Sequence, residues 1–158
     1  MKTISLTLLI TLNSISGFAQ DLRIVSYPEL EKIISASSQK PTLVNLWATW
    51  CKPCVEELPY FISAQERFKD EVEFIFVSLD FMSQTPKVKE MIKKLSMHGT
   101  MIQLNEPGGD WIDKMDDNWS GAIPYTLLYL PNGKKWEHYD AFSSLEDLTS
   151  FLNTHLPK

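Results

Sequence analysis

The chain has 158 residues, of which 44% are hydrophobic and 22% charged, and its formal net charge is −5. This length and composition predict one globular domain whose core needs no disulfide to support it. The acidic balance, with no lysine or arginine run beyond pairs, argues against nucleic acid or an anionic membrane surface as a partner. Proteins and small molecules remain as candidate partners.

The first nineteen residues differ from the rest of the chain. Lys2 supplies a positive start, residues 4–15 form a short apolar stretch, and Gly17 and Ala19 place small residues before a cleavage site. The apolar stretch is shorter than the ~20 residues that a membrane-spanning helix needs. We therefore predict a signal peptide over residues 1–19 and a mature domain over residues 20–158. Such a domain works in the periplasm or outside the cell, where disulfides persist.

The mature chain begins with alternating helical and extended patterns. Apolar residues at helical spacing behind Pro28 predict a first helix, and residues 42–48 (TLVNLWA) form an apolar run typical of a buried strand. A second helix is predicted from Cys51 to about Phe68. Pro59 lies inside it and is expected to kink it.

The middle of the chain continues this alternation. Residues 72–79 (VEFIFVSL) predict a second buried strand. Thr85 as N-cap and Pro86 as the first helical position predict a third helix, which Gly99 is expected to end. Residues 101–105 (MIQLN) predict a short strand after it.

The C-terminal part predicts a hairpin and a covering helix. Residues 122–130 and 134–139 read as two strands joined by Pro131-Asn132-Gly133. Ser144 with Asp147 opens a last amphipathic helix. Strands separated by helices, ending in a hairpin, predict an α/β domain of three layers, with a central mixed sheet and helices on both faces.

The segment between these parts, residues 105–121, is unusually aromatic and we expect it to help choose the partner. Its apolar residues stand at helical spacing, which favours core positions over a contact surface: Trp111, Ile112, Met115 and Trp119. Its carboxylates predict a solvated face: Asp110, Asp113 and Asp117.

The only two cysteines, Cys51 and Cys54, stand two residues apart in WATWCKPC. As a structural staple the pair is poorly placed, because a four-residue ring yields only ~2 kcal/mol against ~4.7 kcal/mol for a hundred-residue loop. Zinc would need two further ligands, and haem attachment needs a histidine where Val55 stands. Redox chemistry remains. We assign no role to the scattered histidines: His98, His138 and His155.

The position of the pair favours that chemistry. Cys51 lies where a strand runs into a helix, and the unpaired N–H groups and dipole of a helix start stabilise a thiolate there. Three residues along a helical turn bring the two Cα atoms to about 5 to 6 Å, within the span of a disulfide. Pro53 rigidifies this first turn, while Lys52 either favours the thiolate or is merely solvated.

These residues resemble the thioredoxin superfamily, and within it the secreted TlpA/ResA-like thiol–disulfide oxidoreductases. The likeness rests on WCKPC after LVNLWAT, on a Glu-x-Pro soon after it, and on GAIPYT. It implies a thioredoxin-like fold in which Cys51 attacks, Cys54 resolves and Pro124 is a cis-proline facing the disulfide. We place Trp50 and Ile123 with Pro124 in the substrate-binding surface.

One buried position departs from cytoplasmic thioredoxin. Asn45 stands where thioredoxins resemble one another in having an aspartate that relays protons. Glu57 follows Cys54 by three residues, lies on the same helical face, and matches the glutamate of the ResA-like Cys-x-Pro-Cys-x-x-Glu pattern. The resemblance makes Glu57 the candidate proton relay, with a solvated helix carboxylate as the alternative. Glu56 points about 100° away and is expected to be solvated.

The resemblance further implies a periplasmic enzyme without a bound cofactor or metal. Its partners would be disulfide-containing exported proteins and an electron-donor thiol protein, which can be membrane-bound, and the chain would act as a monomer. A disulfide oxidase or isomerase remains open, as does a binding module that holds extended peptides without turnover. A peroxidase is disfavoured, since Thr49 stands two residues before Cys51 whereas a peroxiredoxin-like motif places threonine three before.

Overall fold

The computed structural model describes residues 21–37 and 39–157 of the chain. The predicted signal peptide and its cleavage site lie outside these residues. Among the helices in the described ranges, none has the length and apolar character needed to cross a membrane.

Strands and helices alternate along the described chain. The strands are β1 Arg23–Val25, β2 Thr42–Trp47, β3 Glu73–Ser78, β4 Thr100–Leu104, β5 Tyr125–Tyr129 and β6 Lys135–His138. The helices are α1 Tyr27–Ala36, α2 Lys52–Phe68, α3 Thr85–Lys94, α4 Asp110–Met115 and α5 Leu145–His155, with a 3₁₀ turn over Met82–Gln84 before α3.

The strands form one mixed sheet in the order β1-β4-β3-β2-β5-β6. β1 to β4 run parallel to one another, whereas β5 runs antiparallel to β2 and is joined to β6 as a hairpin. β2 is therefore central and buried along its whole length. A strand covered on both faces has no need for polar alternation, which explains the continuous apolar run.

Successive residues of each strand supply two separate cores, one on each face of the sheet. In β3, Phe74 and Phe76 join the core beneath α2, α3 and α5, while Ile75 and Val77 join the core beneath α1 and α4. This division follows from the two-residue period of a strand. The predicted three-layer α/β fold is confirmed.

The aromatic segment before β5 packs as its spacing predicts. Trp111, Met115 and Trp119 are buried in the core beneath α1 and α4, and Ile112 packs against it. The three carboxylates expected on a solvated face, Asp110, Asp113 and Asp117, are exposed.

Helix α3 differs from the prediction at both ends. Its N-cap is Gln84 rather than Thr85, whose hydroxyl lies 2.8 Å from both the Met82 carbonyl oxygen and the Gln103 amide oxygen. The helix ends at Lys94, not at Gly99. Gly99 instead has φ +102° before β4, where a Cβ would lie 2.9 Å from the carbonyl oxygen of Phe74. That contact, together with the positive φ, requires glycine.

Two strands also differ from their sequence patterns. The pattern missed β1, whose three residues pair only with β4 and are too few to show a period. β5 begins at Tyr125 rather than at residue 122, because residues 122–124 form the loop that carries the cis-proline. Helix α2 continues through Pro59.

Candidate active site

Cys51 and Cys54 form a disulfide with a Cα–Cα distance of 5.3 Å, inside the predicted range. Cys51 is the N-cap of α2, and the backbone N–H of Cys54 donates to its Sγ at 3.3 Å. Cys51 is 6% exposed and Cys54 is fully buried. The two sulfurs are therefore unequal: one reaches the surface at a helix start, and the other lies one turn inside the helix.

This helix start favours negative charge on Cys51. The helix has 17 residues, and its N-terminal turn directs the Cys54 N–H at the Cys51 sulfur. Once the disulfide is reduced, the Cys54 N–H and the dipole of α2 both stabilise a thiolate at Cys51.

The Ile123–Pro124 peptide bond is cis, the geometry that the resemblance implied. The Ile123 carbonyl oxygen lies 3.7 Å from Cys51 Sγ. In the disulfide this is a contact, because the sulfur has no proton, whereas a reduced Cys51 thiol can donate there. Pro124 itself is buried, and Trp50, beside Cys51, is 61% exposed. The structure thus brings together Cys51, Trp50 and the loop over residues 123–124.

Glu57 is 1% exposed, although it carries a carboxylate. Its Oε1 accepts from Asn45 Nδ2 at 3.0 Å, and its Oε2 accepts from the Phe142 N–H at 2.8 Å. Burial raises the pKa of Glu57 to about 7, while the hydrogen bonds from Phe142 and Asn45 favour the ionised form and limit the rise. A carboxyl with this pKa can hold or release a proton near neutrality.

Asn45 links the Glu57 carboxylate to the sheet. It lies opposite Thr126 in the β2–β5 pair, and its Nδ2 also donates to Thr126 Oγ1 at 3.2 Å. Its Oδ1 is buried and has no hydrogen-bond partner among the described residues. Rotation of this amide would let Oδ1 accept a hydrogen bond from the hydroxyl of a neutral Glu57, so the pair can accommodate both states of the carboxyl.

A pocket of about 250 Å³ connects Glu57 with the surface. It lies between the start of α2 and residues 141–143, and Pro53 and Tyr60 contribute to its walls. This space gives water a route to the buried carboxyl. Glu56, by contrast, lies exposed and pairs with Lys52 at 3.6 Å, an ion pair of little energetic weight.

The sequence did not reveal Asp80, which holds the loop before Cys51. The Thr49 N–H and hydroxyl donate to its carboxylate oxygens at 2.9 and 2.5 Å, and Ser78 Oγ donates at 2.9 Å. Asp80 is buried two residues after the end of β3. The available signal was a carboxylate following a buried strand, since parallel strands end at the same edge of a sheet.

Asp116 was also missed, and it supports the cis-proline loop. This buried carboxylate accepts from the hydroxyls of Tyr125 at 2.5 Å and Tyr139 at 3.0 Å. Trp119 stacks on Tyr125 at 4.5 Å and donates from Nε1 to the Ala122 carbonyl oxygen at 2.7 Å. The aromatic segment therefore fixes the residues on both sides of Pro124, which ties it to the redox pair.

Within the described part of the chain, no three His, Cys, Asp or Glu side chains gather closely enough to hold a metal ion.

Comparison with known proteins agrees with this geometry. The sequence model of the AhpC/TSA family matches residues 28–152. The chain belongs to the AhpC/TSA family. The chain is similar to the thiol-disulfide oxidoreductase ResA of Oceanobacillus iheyensis, 30% identical over 120 residues, which are 75% of this chain and 59% of that protein. The ResA of Bacillus thuringiensis strain Al Hakam is 40% identical over 119 residues, 75% of this chain and 65% of that protein.

The chain thus spans about three fifths to two thirds of the length of these relatives. Its fold is also similar to the crystal structure of a thioredoxin-family thiol:disulfide interchange protein from Chlorobium tepidum TLS. The TM-score is 0.65 at 20% identity, covering 78% of this chain and 84% of the other. The resemblance to ResA-like members of the thioredoxin superfamily is confirmed.

Proposed function

We propose that the protein is a thiol–disulfide oxidoreductase that reduces disulfides of exported proteins through the Cys51/Cys54 dithiol. The observation that carries the proposal is the disulfide at the start of α2, facing the loop over residues 123–124. The ResA relatives, named thiol-disulfide oxidoreductases, support the same activity.

The proposed reaction moves two electrons from the dithiol to the substrate. The Cys51 thiolate attacks one substrate sulfur, which forms a mixed disulfide and releases the other substrate sulfur as a thiolate that takes up a proton. Cys54 loses its proton and attacks the Cys51 sulfur, so that the mixed disulfide breaks and the second substrate thiol leaves. The protein is left as the Cys51–Cys54 disulfide.

Glu57 is proposed to accept the Cys54 proton in the second step and to return it when the pair is reduced again. The two residues are three positions apart on α2, hence on one helical face. The pKa of Glu57 near 7 and the pocket beside residues 141–143, through which water can reach its carboxyl, support this role.

Trp50, Ile123 and Pro124 are proposed to bind the substrate chain around its disulfide. Trp50 is exposed beside Cys51, and the Ile123 carbonyl oxygen lies next to Cys51 Sγ. An extended substrate strand can lie along this loop and form backbone hydrogen bonds with it.

The direction of electron flow is tested by the midpoint potential of the couple together with insulin reduction. A reductant has a potential near about −250 mV or below, whereas an oxidase lies near about −120 mV. A midpoint potential in the oxidase range would contradict the reductant and favour a disulfide oxidase or isomerase. Partner binding that persists after both cysteines become serine would favour the peptide-binding module.

We further propose that the chain is exported and cleaved near Gln20, and that a thiol protein supplies its electrons. A monomer without nucleic-acid partners fits the acidic charge of −5. N-terminal sequencing of exported protein tests the cleavage. An intact Met1 in the soluble periplasmic fraction would contradict it.

A peroxidase reaction is disfavoured by the surroundings of Thr49. Its hydroxyl donates to Asp80, and it stands two residues before Cys51 rather than three. The hydroxyl therefore serves the loop rather than the sulfur. Peroxide consumption at a rate that rivals disulfide reduction would argue for the peroxidase.

A further inference from the structure

Two aromatic side chains stand unusually exposed, and one of them adjoins Cys51. Trp50 is 61% and Phe81 78% exposed, although large aromatic residues are mostly buried. Phe81 follows β3 directly after Asp80, whose carboxylate fixes Thr49. Trp50 follows β2 and Phe81 follows β3, so both residues lie at the same edge of the sheet as Cys51.

A groove of about 450 Å³ separates these rings from helix α3. Its walls include Trp50, Phe81, Lys87, Glu90, Met91 and Lys94. We call this surface the α3 groove. Met91 is partly buried and supplies a flexible apolar wall, which suits contact with varied apolar side chains.

Helix α3 divides its side chains into three faces. Val88 and Ile92 are buried in the core. Lys87 and Lys94, seven residues apart and so on one face, line the groove with Met91 between them. Lys89 and Lys93 are exposed and do not line it.

The groove carries positive charge on an acidic protein. The whole chain has a net charge of −5, yet α3 holds four lysines and one glutamate. Lys87 and Lys94 outnumber Glu90 in the groove, so its charged side chains sum to a positive value. A partner segment with carboxylates beside an apolar side chain complements this surface in both respects.

We propose that the α3 groove binds an acidic, extended segment of the partner protein next to the partner's reacting disulfide. The inference rests on the proposed function and adds the class of substrate. An apolar partner side chain packs on Phe81 and Met91, and partner carboxylates approach Lys87 and Lys94. Because Trp50 both lines the groove and adjoins Cys51, the acidic residues lie within a few positions of the partner's cysteine.

The test uses two synthetic disulfide-bonded peptides that differ only in the residues flanking their cysteines. One carries phenylalanine with glutamates and the other phenylalanine with lysines. Each is reduced by the reduced protein, and each rate is divided by the rate of the same protein with bis(2-hydroxyethyl) disulfide, an uncharged small substrate. We expect the acidic peptide to be reduced about three- to tenfold faster at low salt, as two exposed ion pairs allow. The preference should shrink at about 0.5 M salt, where charges are screened within a few ångströms.

Charge reversal on α3 supplies the matched comparison. Lys87→Glu with Lys94→Glu should abolish or invert the preference for the acidic peptide. Lys89→Glu with Lys93→Glu makes the same change in net charge on the other face and should retain it. Phe81→Ala should slow the reduction of both peptides relative to that of the small disulfide. Because Phe81 is exposed, its replacement should not unfold the protein.

The outcomes separate this inference from the proposed function. Failure of the wild-type protein to reduce either peptide or the small disulfide would contradict the oxidoreductase itself. Equal rates for both peptides, a preference for the basic peptide, or equal loss in both double variants would overturn the α3 groove while leaving the oxidoreductase in place.

Discussion

Replacing Glu57 by Gln tests the coupling between burial and proton transfer at the site. The substitution keeps the size of the side chain and removes its titration. The Phe142 N–H keeps an oxygen acceptor, because the amide oxygen can replace Oε2. The new amide nitrogen would face Asn45, whose unpartnered Oδ1 can accept from it after the Asn45 amide rotates.

The expected change in stability follows from the pKa of Glu57 in the two states. The ordinary value is 4.5, and burial raises it to about 7 in the folded protein. Below about pH 4.5 both states hold the proton, and above about pH 7 neither does. Between these values only the folded state is protonated, so stability falls as the pH rises. The free energy of unfolding therefore falls by about 3 kcal/mol over this range, at 1.36 kcal/mol for each unit by which the pKa is raised.

Urea unfolding of the oxidised protein at about pH 4.5 and about pH 8 measures the loss of stability that comes from the ionisation of Glu57. We expect the wild type to lose about 3 kcal/mol more than Glu57→Gln over that interval. Glu56→Gln is the matched control, since Glu56 is the exposed neighbour on the same helix and should follow the wild type.

The same variant separates stability from catalysis. If Glu57 takes the Cys54 proton, Glu57→Gln should flatten the pH dependence of disulfide exchange near neutrality. It should also slow the exchange by the roughly 10²- to 10⁴-fold typical of a lost acid–base group, or by less where water substitutes. Parallel stability curves for variant and wild type would refute the pKa argument. Exchange rates unchanged between about pH 5 and pH 9 would refute the relay.

Three further predictions test the sulfurs, the loop support and the core. Cys54→Ser should accumulate covalent mixed disulfides with partners on non-reducing gels, and Cys51→Ser almost none; the reverse pattern would exchange the nucleophile and the resolving thiol. Asp116→Asn should cost about 1–3 kcal/mol in urea unfolding, because the buried Tyr125 hydroxyl loses a charged acceptor, and an unchanged midpoint would contradict this. Phe61→Ala should cost about 3–5 kcal/mol, since Phe61 is fully buried and its ring packs edge-on against Phe76 of β3 and Phe142, and a loss below about 1 kcal/mol would show that the core relaxes around it.

Local patterns predicted most elements of the fold correctly. The long apolar runs of β2 and β3 and the cap of α5 at Ser144 depend on neighbours within a few residues, so the local sequence is enough to predict them. β1 could not be predicted from the local sequence, because it is a strand only through its pairing with β4, which lies about eighty residues further along the chain. The end of α3 was misplaced for a related reason, since the requirement for glycine at Gly99 comes from Phe74 in β3.

The sequence by itself determined the redox pair and its place at a helix start, because spacing along one helical turn sets the distance between Cys51 and Cys54. Tertiary structure alone decided the state of Glu57. Its pKa depends on Asn45, 12 residues away on β2, and on Phe142, 85 residues away before α5, and on the burial that these elements impose. Desolvation and hydrogen bonding are properties of the assembled surroundings, and a carboxyl on an exposed turn of the same sequence would have neither.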